Sequence, residues 1–203
     1  MCGILGYVGN GNASDFLIEG LRRLEYRGYD SAGIAVYENG KIEIEKKAGR
    51  LVNLEKALES HPLRGNIGIG HTRWATHGKP TEINAHPHLG EHSFVVHNGI
   101  IENYKELKDE LEAKGVKFVS QTDTEVIVHL FEEILKEKKD PFKAYEATIA
   151  KLRGAYATLL ITKTAPGKIF FAKDAAPMAI GKSDKKELYF ASSDAPLIGN
   201  ATE

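Results

Sequence analysis

The chain begins with Met1-Cys2-Gly3-Ile4-Leu5-Gly6-Tyr7-Val8-Gly9, and Cys2 is its only cysteine. The apolar residues that follow Cys2 predict a β-strand, so the cysteine stands directly at the start of that strand. Removal of Met1 would leave Cys2 with both a thiol and a free α-amine. A thiol is a strong nucleophile, and an amine with a pKa of about 7.7–8.0 can serve as its base. The alternative is a small apolar residue that packs in the strand, as most free cysteines do.

Length and charge favour one globular domain of the cytosol. The chain has 203 residues, and its 27 Lys and Arg nearly balance its 28 Asp and Glu, so no general attraction to nucleic acid is expected. A single cysteine excludes an internal disulfide framework and is typical of a reducing compartment. No stretch approaches the 18 or so apolar residues that a membrane span requires, and we expect no contact with a membrane.

Strands are predicted toward both ends of the chain, and helices cluster in the middle. Asn39-Gly40 predicts a hairpin turn between strands at 33–37 and 41–46, because Asn-Gly tolerates positive φ at both positions. Thr122 and Glu125 have the spacing of a capping box that would head a helix. Strands linked by hairpins and flanked by helices predict an α+β fold, with two mixed or antiparallel sheets covered by helices. Further strands are predicted at 67–70, 93–97, 155–161, 168–172 and 188–191, and an irregular stretch at 72–92.

The most concentrated set of chemically capable side chains follows the buried strand at 67–70. Arg73 can bind a carboxylate with two parallel hydrogen bonds, and Trp74 can form a wall or lid. Thr76 and His77 add short-range donors. The alternative is an ordinary loop whose arginine makes a surface ion pair and whose tryptophan only packs.

Two further candidates are weaker when taken alone. Asn98 and Gly99 end the strand at 93–97, and a side-chain amide beside a glycine N–H can supply two donors to an oxyanion. Asn-Gly is also a common tight turn. Asp123 falls in the first turn of the helix expected after Thr122. There it can bind a substrate ammonium, or it can simply be a carboxylate that the helix dipole favours.

Histidine is abundant in one part of the chain, which raises the question of a metal. Six of the eight histidines fall between His71 and His97. Their spacings match neither a helical i, i+4 pair nor the paired Cys/His pattern of structural zinc sites. We therefore expect no metal.

Five motifs, in order along almost the whole chain, together resemble a known family. They are Cys2-Gly3-Ile4, Arg23-Leu24-Glu25-Tyr26-Arg27-Gly28-Tyr29-Asp30-Ser31-Ala32-Gly33, His71 to His77, His97 to Tyr104, and Thr122 to Glu125. The family is that of the glutaminase domains of glutamine–fructose-6-phosphate aminotransferases, which are class II, N-terminal-nucleophile glutamine amidotransferases. The resemblance implies an αββα sandwich, with L-glutamine as substrate and no cofactor.

The resemblance also implies a role for each candidate residue. Cys2 would attack the side-chain amide of glutamine while its own α-amine carries the proton, and Asn98 and Gly99 would hold the oxyanion. Arg73 would bind the α-carboxylate of the substrate and Asp123 its α-ammonium. The residues expected to line the pocket are Trp74, Thr76 and His77.

The same resemblance implies a longer protein. We expect residues 1–203 to be one glutaminase domain, truncated at its C-terminal end, without the sugar-isomerase domains that would use the ammonia. A homodimer is left open. Two alternatives also stay open: a glutamine-binding fragment without turnover, and a different N-terminal-nucleophile amidohydrolase. The second is disfavoured because Arg73 with Asp123 suits the two charges of a free amino acid.

Overall fold

Two β-sheets form the centre of the protein, as seen in a computed structural model that describes residues 2–75 and 78–203. The first sheet has six strands in the order β3-β2-β4-β1-β10-β9, and the second has four in the order β5-β6-β7-β8. Every ladder between these strands is antiparallel. The strands are β1 (Gly3–Val8), β2 (Ser31–Glu38), β3 (Lys41–Ala48), β4 (Ile67–Arg73), β5 (His88–Leu89), β6 (Ser93–Gly99), β7 (Tyr156–Thr162), β8 (Phe170–Asp174), β9 (Ala179–Lys182) and β10 (Leu188–Ala191).

Helices cover the outer face of each sheet. The helices are α1 (Ala13–Leu24), α2 (Leu51–Ser60), α3 (Tyr104–Ala113), α4 (Glu125–Lys138) and α5 (Pro141–Ile149). One apolar cluster joins α1 and α2 to the first sheet, and another joins α3, α4 and α5 to the second. A third cluster, with residues from both sheets, lies between them. The order of layers is helices, sheet, sheet, helices, which confirms the α+β sandwich.

Local signals were accurate where the sequence alone determines the backbone. Asn39 and Gly40 have φ values of 49° and 83°, as a hairpin turn of this kind requires, and they join β2 to β3. Pro141 stands at the start of α5, where Asp140 accepts hydrogen bonds from the next two backbone N–H groups.

The capping box predicted at Thr122 and Glu125 is wrong. The helix α4 starts at Glu125 with Thr124 as its N-cap, and no side chain caps it. Thr122 instead contacts His88 and Ser120, while the carboxylate of Glu125 accepts from the backbone N–H groups of Val119 and Ser120. Buried polar partners elsewhere in the fold therefore override a local motif. The short strands β5 and β9 were not predicted, because two to four residues carry too little periodicity.

Within the described ranges, no helix is both long and apolar enough to cross a membrane.

Candidate active site

Cys2 stands immediately before β1, in the middle of the six-stranded sheet. The register pairs Gly3 with Thr72, which sets Cys2 opposite Arg73 at the end of β4. The backbone N–H of Trp74 donates to the Cys2 Sγ at 3.3 Å. Burial raises the pKa of the Cys2 thiol, and the Trp74 N–H and the charge of Arg73 act against that increase. The thiol is thus partly enclosed yet close to groups that favour a thiolate.

Arg73 is a buried cation next to this thiol. Its side chain is only 3% exposed, and its two terminal nitrogens donate to the carbonyl oxygens of Gly78 at 3.2 Å and Lys79 at 3.1 Å. Burial lowers the pKa of Arg73, while Cys2 and nearby acidic groups raise it. Because a guanidinium stays protonated in proteins, the site holds a fixed positive charge that suits a carboxylate.

Cys2, Arg73 and Asn98 project into the same space, the gap between the two sheets. Side chains alternate between the faces of a strand, so residues two or four positions apart share a face. Each of the three lies two or four positions from a residue of the apolar core between the sheets. Cys2 is two from Ile4 on β1, Arg73 is four from Ile69 on β4, and Asn98 is two from Val96 on β6. The fold therefore directs these predicted site residues toward one another.

Gly99 ends β6 in a conformation that only glycine adopts readily. Its φ is +128°, and an added Cβ would stand 2.0 Å from the carbonyl oxygen of Ala155. Ile100 donates its N–H to that same oxygen. Because successive backbone N–H groups of an antiparallel strand point to opposite sides, the Gly99 N–H points away from β7. The strand β5 pairs only as far as Val95 on that side. A backbone donor thus adjoins the buried Asn98 amide.

Asp123 precedes α4 by two residues, so its predicted location in a first helical turn is wrong. The carboxylate is 4% exposed, and its Oδ2 accepts a hydrogen bond from the backbone N–H of Ile101 at 2.8 Å. The charge of Asp123 acts to raise the pKa values of both Cys2 and Arg73, so this carboxylate lies near both side chains. A cation and an anion therefore lie near one thiol.

The remaining predicted residues are described only in part. Trp74 is 47% exposed and packs against Tyr29, with ring centroids 5.9 Å apart and the rings nearly perpendicular. Thr76, His77 and Met1 lie outside the described residues.

The sequence reasoning missed two residues that position the backbone around Arg73. An added Cβ on Gly28 would stand 2.5 Å from the carbonyl carbon of Arg73, so only glycine allows this approach. Asp30 donates its N–H to the Arg73 carbonyl oxygen at 3.1 Å and accepts from the Ala75 N–H at 2.7 Å. The turn-forming sequence Gly28-Tyr29-Asp30 is the local signal that indicates these positions.

No group of three or more His, Cys, Asp or Glu side chains among residues 2–75 and 78–203 is arranged to hold a metal ion.

Comparisons with known proteins agree with this geometry. The family model of the glutamine amidotransferase domain matches residues 71–199. Glutamine–fructose-6-phosphate aminotransferase [isomerizing] of Campylobacter jejuni is 58% identical over the whole chain, and that of Helicobacter pylori is 53% identical over 95% of it. The chain spans only 34% and 32% of these relatives, about a third of their length.

A solved structure shares the fold. Glutamine phosphoribosylpyrophosphate amidotransferase from B. subtilis, complexed with ADP and GMP, superimposes with a TM-score of 0.85 at 28% identity, over 97% of this chain and 43% of that one. The chain belongs to the class II glutamine amidotransferase domain family, a family of enzymes.

Proposed function

We propose that the chain hydrolyses the side-chain amide of L-glutamine to glutamate and ammonia, with Cys2 as the nucleophile once Met1 has been removed. The observation that carries the proposal is the position of the thiol. It accepts the Trp74 N–H at 3.3 Å, lies opposite Arg73 and faces the gap between the sheets. Membership of the family indicates glutamine as the substrate, and the position of Cys2 supports its role as the nucleophile.

The reaction follows from the groups around the thiol. The α-amine of Cys2 takes the thiol proton, and the thiolate forms a bond to the amide carbon of glutamine. The amide oxygen becomes an oxyanion that the Asn98 side chain and the Gly99 N–H stabilise. When the intermediate collapses, its C–N bond breaks, and the nitrogen takes the proton from the α-ammonium and leaves as ammonia. Water then attacks the thioester, which releases glutamate and restores the thiol.

Recognition of a free amino acid follows from two opposite charges. Arg73 binds the α-carboxylate, and Asp123 binds the α-ammonium. The Oδ2 of Asp123 already accepts a hydrogen bond from the N–H of Ile101, but a carboxylate can accept from more than one donor. We assign Trp74, Thr76 and His77 to the wall of the glutamine pocket.

The names of the relatives suggest how the ammonia is used. We propose that it aminates fructose-6-phosphate, bound by sugar-isomerase domains of a longer protein, since the relatives are about three times as long as this chain. The single cysteine supports a cytoplasmic location.

The test is glutamate release from L-glutamine by the purified chain, beside a Cys2→Ala variant and with an intact-mass measurement of the terminus. We expect release by protein that lacks Met1 and none by the variant. Activity that persists in Cys2→Ala would refute the assigned nucleophile. The same assay with N-acylated glutamine tests the substrate class, and equal rates for both compounds would overturn recognition of the free amino acid.

A further inference from the structure

Three buried histidines and one threonine form a closed set of contacts behind the proposed site. The His71 Nε2 donates to the His97 carbonyl oxygen at 2.9 Å, and the His97 Nδ1 lies 2.9 Å from the Thr124 Oγ1. The same Oγ1 lies 2.8 Å from the His86 Nε2, and the ring of His86 stacks on that of His71 with centroids 3.9 Å apart. We call these four residues the buried polar cluster.

Hydrogen-bond chemistry limits how the buried polar cluster can be arranged. A carbonyl oxygen only accepts, so His71 carries its proton on Nε2. The Thr124 hydroxyl has one proton, so it can donate to at most one of the two imidazoles, and at least one ring donates to it. Burial lowers the pKa of His71 to about 3 and that of His86 well below its ordinary value, so both rings are neutral near pH 7. One hydroxyl thus couples the tautomers of two rings.

Thr124 holds this position instead of capping its own helix. It is the N-cap residue of α4, where a threonine hydroxyl commonly accepts a hydrogen bond from the first turn. No such bond forms here. The hydroxyl reaches two histidines from other segments, with the residue only 1% exposed. The Thr124 hydroxyl therefore contacts the two histidines of the cluster and makes no capping hydrogen bond to α4.

Three of the four segments that carry a proposed site residue contribute to the buried polar cluster, and the segment of Cys2 does not. His71 lies two residues before Arg73 on β4. His97 adjoins Asn98 on β6, and Thr124 adjoins Asp123 before α4. These contacts thus join the two sheets and the residue before α4, within one or two residues of Arg73, Asn98 and Asp123.

We propose that Thr124 is a positioning residue, which holds Asn98 and Asp123 in their relative places by joining His97 to His86. This inference rests on the proposed glutaminase function. A misplacement of about 1 Å in a catalytic arrangement can reduce the rate by about 10²-fold, so the loss of one hydroxyl should matter beyond its effect on folding.

The experiment compares three variants of the 203-residue chain. Thr124→Val removes the hydroxyl and keeps the shape, and Thr124→Ser keeps the hydroxyl. Thr162→Val is the matched control, because Thr162 is a buried threonine at the other end of β7, four residues from the one opposite His97, and its hydroxyl lies 3.0 Å from the Ser93 hydroxyl. The measurements are kcat and KM for glutamine, the melting temperature and two-dimensional amide NMR spectra.

We expect Thr124→Val to lower kcat/KM by about 10- to 100-fold, with Thr124→Ser and Thr162→Val close to wild type although both valine variants melt at lower temperature. Equal losses in the two valine variants, or no rescue by serine, would overturn the proposal. The NMR spectra do not depend on activity. The Asn98 side-chain amide and the Ile101 N–H that binds Asp123 should shift in Thr124→Val and not in Thr162→Val. If the wild type proves inactive, the proposed function fails while these shifts still decide the positioning role.

Discussion

Acidification from pH 7 to pH 5 should destabilise the protein through its buried histidines. His71 is fully buried, and burial lowers its pKa to about 3; burial also lowers the pKa values of His86 and His88 well below the ordinary range. The unfolded chain binds a proton on each near the ordinary pKa of about 6.5. Between pH 6.5 and the folded pKa the unfolded state binds more protons, so stability falls as the pH falls.

The size of the effect follows from the pKa of His71. At pH 5 the difference between about 6.5 unfolded and about 3 folded costs about 2 kcal/mol from this residue alone. Each histidine contributes a slope of up to about 1.4 kcal/mol per pH unit, so three together approach about 4 kcal/mol per unit. Glu125 and Glu187, with pKa values lowered to about 2, lose their stabilising effect only below about pH 4.5, outside this window.

The assay is urea unfolding followed by circular dichroism at four pH values between 7 and 5, at constant ionic strength. His88→Gln is the informative variant, because the glutamine amide can replace the Nε2 that lies 3.1 Å from the Thr122 hydroxyl. His92→Asn, at a half-exposed histidine, is the control. We expect the slope of the unfolding free energy against pH to fall by the equivalent of about one bound proton in His88→Gln and by less in His92→Asn. A free energy of unfolding that is constant from pH 6.5 to 5 would refute the reasoning.

Three substitutions test the proposed site. Asn98→Ala should lower kcat for glutamine by about 10²–10³, because one oxyanion donor is lost, and a value near wild type would exclude that role. Gly99→Ala places a Cβ 2.0 Å from the Ala155 oxygen at a φ of +128°, so we expect a melting temperature lower by about 5–10 °C; unchanged melting would show that the backbone adapts freely. Arg73→Lys would lose the two-pronged contact proposed with the α-carboxylate and should raise KM about 10- to 100-fold with a smaller change in kcat, and an unchanged KM would remove Arg73 from substrate binding.

The sequence predicts best those features that a few neighbouring residues determine. The turn at Asn39 and Gly40 needs only their tolerance of positive φ, and the two strands it joins followed correctly. The start of α5 at Pro141 is local in the same way. Recognition of the family rested on five motifs in order, and the comparisons confirm it.

Features that depend on distant segments could not be predicted. Asn98 and Gly99 were a weak signal because their geometry depends on the pairing of β6 with β7. Nothing in the spacing of the histidines indicates that His86 and His97 meet at one hydroxyl. The capping box failed at Thr122 for the same reason, because its hydroxyl has a better partner far away in the chain.

The pairing of β1 on both sides has a consequence for the order of the chain terminus. The first residues of a protein usually fray, and a reactive group there would sample many orientations. β1 is hydrogen-bonded to β4 from Gly3 onward and to β10 from Leu5 onward, so the residue just before β1 is tied to the middle of the sheet. The entropy of holding the Cys2 thiol in place is therefore lost during folding, before any substrate binds.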